Sequence, residues 1–68
     1  MNVTMKQMIK LASEQALKAV RLELVENNET IGNAFKKAKK TLVKNGMPQL
    51  IAEFAIGNVA AAMEQEYA

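Results

Sequence analysis

Between residues 31 and 42 the apolar side chains fall at Ile31, Ala34, Phe35, Ala38 and Leu42. This i, i+3, i+4, i+7, i+11 spacing puts all five on one stripe of an α-helix, and a strand does not reproduce it. The stripe is punctuated on both sides, by Asn27-Asn28 before it and by Asn45-Gly46-Met47-Pro48 after it. Gly46 suits the left-handed residue that closes a helix, and Met47 is placed to fold back on Leu42. Pro48 cannot continue that helix but suits the first turn of the next. Asn28 or Thr30 can cap the start, and Glu29 matches the positive end of the helix dipole.

The segment before this helix is helical as well. Thr4 and Gln7 stand at capping-box spacing, each side chain able to satisfy a free amide of the first turn. Met5, Met8, Ile9, Ala12, Ala16, Ala19 and Val20 follow at helical intervals, with Leu11 and Leu22 widening the face. Lys6, Lys10, Ser13, Glu14, Lys18 and Arg21 fill the other side, as an amphipathic helix requires. Lys10–Glu14 and Glu14–Lys18 have the i,i+4 spacing of weak surface ion pairs. Glu23 and Glu26 fall on the apolar side, where the helix is expected to outrun its core.

The segment after Pro48 is apolar almost all round. Leu50, Ile51, Phe54, Ala61 and Ala62 lie on one side, Ala52, Ile56, Val59 and Met63 on nearly the other. Two partner helices cannot cover both sides, so the third helix is expected to keep apolar surface for another molecule. Gly57 and Ala61 form a small-xxx-small pair. The plainer expectation for Gly57 is close packing against the first helix of the same chain. The expected architecture is all-α: a small three-helix unit forming a single domain over residues 1–68, with helices over about 5–26, 30–45 and 48–66. Association into a helical dimer is expected with it.

A chain of 68 residues buries too little surface for a wide stability margin, and small domains usually add a staple. Cys, His and Asp are all absent, so disulfides are excluded and metal ligands are reduced to seven Glu. Self-association is the staple left. The same absences remove most catalytic constellations. Ser13 is the one serine, with no base near it in sequence, and Gly32, Gly46 and Gly57 are too scattered for a phosphate loop. No enzyme activity, catalytic residue, metal or cofactor is expected. The apolar run from Leu50 to Met63 is too short to span a bilayer and no secretory leader stands at the N-terminus, so the expected location is cytoplasmic.

Charge is polarised along the chain. Lys36, Lys37, Lys39, Lys40 and Lys44 give residues 30–46 a charge of +5, while residues 47–68 carry three Glu and no base. Residues 1–29 balance four bases with four acids. Lysines opposite an apolar stripe are what a soluble helix ordinarily shows, but they also suit an acidic protein surface or phosphates. Direct base readout is disfavoured by the lack of Arg in the cluster, and single-strand stacking by the lack of an aromatic interleaved among the lysines. A helix-turn-helix reading fails because the third helix has no Lys or Arg. A basic amphipathic helix could also lie on a membrane surface, a weaker fit because Ile31, Phe35 and Leu42 are needed by the core.

These features point to a non-enzymatic protein-binding module. Small helical regulators, inhibitors and assembly factors, including those of phages and mobile elements, fall in this size class. The expected apolar contact is Ile56, Val59, Ala60 and Met63. The expected charged contact is Lys36, Lys37, Lys40 and Lys44. The alternative is a nucleic-acid-binding accessory protein that uses the lysines of the second helix.

Overall fold

The computed structural model describes residues 4–67, with side chains described as far as Gln65. Three helices follow one another: α1 (Met5–Val25), α2 (Ile31–Lys44) and α3 (Gln49–Tyr67). Each boundary has a local cause. Thr4 Oγ1 accepts from the Gln7 amide at 3.2 Å and Gln7 Oε1 accepts from the Thr4 amide at 3.1 Å, so the capping box is formed. At the other end of α1, Asn28 adopts φ 53°, a left-handed conformation that Asn tolerates better than most residues. Thr30 takes the cap of α2, accepting from the Asn33 amide. Gly46 closes α2 at φ 105°, and the Met47 amide donates to the Leu42 carbonyl at 3.0 Å.

α1 packs against both other helices, while α2 and α3 touch less. The result is a flat body, with Cα extents of 39 × 28 × 16 Å. Its core runs through Ala12, Ala16 and Val20 of α1, Ala34, Ala38 and Leu42 of α2, and Ile51, Ala52, Ala55, Val59 and Met63 of α3. Most of these are alanines, which let the helix axes come close but bury little area each.

The large apolar side chains are largely elsewhere. Met8, Leu11, Leu22, Ile31, Leu50 and Phe54 are all exposed. The exposed surface totals 5217 Å². A compact monomer of 7.5 kDa is expected to show about 4,250 Å². The chain is therefore open for its mass.

Three sequence expectations change. The α1 face shifts: Leu17 packs on the core while Met5, Met8, Leu11 and Leu22 face solvent, because α3 approaches from the Leu17 side. Gly57 does not pack against α1. Among the described residues nothing lies within 4 Å of the place a Gly57 Cβ would take. The surplus of α3 exists, but on the Leu50–Phe54 side, since α1 and α2 cover the Ala52–Val59–Met63 side.

Candidate functional site

The residues expected to make the apolar contact are mostly inside. Val59 is 4% exposed and Met63 8%, while Ile56 and Ala60 are half-buried and Ile56 packs on the core. Val59 and Met63 thus turn inward within the chain, with Ile56 and Ala60 partly covered beside them. The helix covers with its neighbours the side that carries its β-branched Ile51, Ile56 and Val59, and leaves Leu50 and Phe54 outside.

Val59 nevertheless reaches a surface feature. Between α1 and α3 runs an open groove of about 830 Å³, floored by Ile9 and Leu17 of α1 and by Val59 and Ala62 of α3. Lys6, Lys10 and Glu14 border it, an i, i+4, i+8 row along the outer edge of α1. Neither Lys10 nor Lys18 pairs with Glu14 within ion-pair distance among the described residues, so these rim charges stay available. The groove's polar interior is one short relay. Asn58 Nδ2 donates to Ser13 Oγ at 3.2 Å, and Ser13 Oγ donates to the Ile9 carbonyl at 2.7 Å. Ser13 thus sits half-buried at the α1–α3 crossing rather than on the solvent face, and its hydroxyl proton is already committed.

Comparisons with known protein families, characterised proteins and solved structures gave no match. Chemistry on the surface carries the reading alone.

The lysine face of α2 divides into two groups. Lys37 is paired with Glu29, and Lys39 Nζ stands 3.8 Å from Glu53 Oε1 of α3. The hydrogen bond to Glu29 holds the Lys37 ammonium above its usual pKa of 10.5, against slight desolvation and with further help from the charges of Glu29 and Glu23. Glu23 is half-buried on the inner side of α1, and its Oε2 has no hydrogen-bond partner among the described residues. Lys36, Lys40 and Lys44 are exposed and make no ion pair among the described residues. Of the four expected charged contacts, these three form one i, i+4, i+8 row, and Lys37 is held by Glu29.

The groove residues Lys6, Ile9, Lys10 and Leu17 were not legible as a site. Ile9 reads as ordinary core, and Lys6 and Lys10 as ordinary solvated surface. Only the pairing of α1 with α3 sets them around a common cleft. The one available signal was Asn58, which with Glu53 interrupts the apolar run from Leu50 to Met63.

Among the described residues, no helix is long and apolar enough to cross a membrane.

Proposed function

We propose that this chain is a non-enzymatic protein-binding module of a reducing compartment such as the cytoplasm, and that it receives an amphipathic helix of a partner in the α1–α3 groove. The observation that carries the reading is the groove itself: an apolar floor of Ile9, Leu17, Val59 and Ala62, bordered by Lys6, Lys10 and Glu14. A helix laid in such a cleft anchors apolar residues at i, i+3, i+4 and i+7. The rim order, two positive charges followed by a negative one, favours a partner with acids toward Lys6 and Lys10 and a base beside Glu14. The free row Lys36, Lys40 and Lys44 adds a separate positive face that speeds encounter with an acidic protein.

The test is an NMR titration of the full chain with a synthetic helical peptide bearing Leu at those anchor positions and Glu on its flanks. A matched peptide with Lys flanks serves as comparison. Saturable shifts are expected at Ile9, Leu17, Val59 and Ala62, with the Glu-flanked peptide binding more tightly. Exchanging Lys6 and Lys10 for Glu should reverse that preference. Shifts confined to other surfaces, or a preference unchanged by the double exchange, would falsify the groove as the docking site.

A second reading rests on the same lysine row, whose three unpaired ammonium groups on one helix face suit duplex phosphates.

A further inference from the structure

The outer face of α3 carries a row quite separate from the groove. Leu50, Phe54, Gly57 and Ala61 stand at i, i+4, i+7 and i+11. All four are exposed, Leu50 at 60% and Phe54 at 51%. The residues that floor the groove, Val59 and Ala62, point to other sides of the same helix. No Lys or Arg occurs anywhere in α3, and Glu53 leans toward Lys39 of α2. The four residues of the row are themselves uncharged and face water, with the exposed Glu53 and Glu64 along one edge.

Gly57 makes this face hard to explain within one protomer. A glycine inside a helix costs about 1 kcal/mol relative to alanine. Packing does not require it here, because a Cβ at Gly57 would meet nothing within 4 Å among the described residues. A missing side chain in the middle of an exposed apolar row has a physical use when a second helix backbone approaches there.

We propose that two copies of this chain associate through the outer face of α3, with Gly57 at the point of closest approach. The row is self-complementary: Phe54 is a projection and Gly57, one turn along, is the recess beside it. A two-fold axis through this face puts each copy's Phe54 against the other's Gly57–Ala61 recess, the isologous arrangement of a closed dimer. The whole chain exposes 5217 Å², nearly 1,000 Å² more than a compact monomer of its mass, and Leu50 and Phe54 are the large exposed apolar side chains that α3 contributes to it among the described residues. A standard stable interface covers about 800 Å² on each partner. The core gives the same message, since its alanines leave a single small domain short of buried area. This inference does not rest on the groove reading, because the two surfaces lie on different sides of α3.

Sedimentation equilibrium of the full chain tests it, across concentrations up to about 1 mM, where even weak association registers. The wild type is expected to approach twice 7.5 kDa. Gly57→Gln fills the recess with a good helix former that the protomer has room for, and Phe54→Glu charges the projection. Both variants should fall to 7.5 kDa while keeping their helical circular dichroism. Leu11→Glu, an exposed site on α1, should leave the dimer intact. A wild type that stays at 7.5 kDa throughout overturns the proposal and points to a foreign partner for this face. A dimer that survives both α3 changes, or that only Leu11→Glu breaks, overturns it too.

Discussion

Asn58 of α3 and Ser13 of α1, 45 residues apart in sequence, are joined by a hydrogen bond of 3.2 Å at the crossing of the two helices. The bond is the only side-chain hydrogen bond between α1 and α3 among the described residues, and both of its partners line the groove. Ser13 passes the interaction on to the Ile9 carbonyl, so three groups on two helices share one relay.

Removing either partner should therefore cost stability and register together. Ser13→Ala and Asn58→Ala are each expected to destabilise the fold by about 1 kcal/mol, in line with a partly exposed neutral hydrogen bond. The double variant should cost less than the sum of the two, because each change removes the same bond. Urea unfolding of the four proteins measures the coupling. Strict additivity would show that the relay does not operate in solution.

The alanine core reverses the usual consequences of changing residue size. Ala16 is fully buried at the centre of α1, so Ala16→Leu must push neighbouring helices apart. A loss of about 1–3 kcal/mol is expected from such overpacking. Leu11→Ala, at a site 56% exposed, should stay within about 0.5 kcal/mol of the wild type. Thermal or urea melts compare the two directly, and a larger loss at Leu11 than at Ala16 would contradict the packing described.

Pairing within the protomer sets how many lysines α2 offers to phosphate. With Lys37 held by Glu29 and Lys39 near Glu53, the free row is Lys36, Lys40 and Lys44. If duplex DNA binds there, log K should fall with log salt at a slope of about −2.7, for three phosphates, rather than about −4.5 for five. Fluorescence anisotropy at several salt concentrations gives the slope. No binding even at low salt removes the nucleic-acid reading altogether.

The Lys37–Glu29 pair predicts a contribution at the alkaline end of the pH range. The hydrogen bond raises the Lys37 pKa above 10.5 in the folded state. A raised lysine pKa adds stability that is fully present below the unfolded value and disappears as pH climbs through the folded one. Lys37→Met should accordingly be less stable than the wild type at neutral pH, by a small margin because the pair is exposed. The gap in urea midpoint should close above pH 10.5. A gap that persists or widens there would mean that Lys37 acts through packing instead.

Helix limits and charge distribution were legible in the residues themselves. The Thr4–Gln7 box, the Gly46 stop and the five-residue stripe of α2 act over at most a few turns, so local chemistry decides them. The alternation of neutral, positive and negative segments is likewise a property of the chain. What the chain alone left open was orientation. In α3 the apolar residues are spread round the whole circumference, so intrinsic pattern cannot choose which side turns inward. That choice fell to the arrival of α1 and α2, which covered Val59 and Met63 and left Leu50, Phe54 and Gly57 in water. The groove between α1 and α3, and the separation of free from paired lysines on α2, have the same origin. Both depend on residues far apart in sequence, such as Lys39 and Glu53 or Leu17 and Val59, becoming neighbours only when the helices pack.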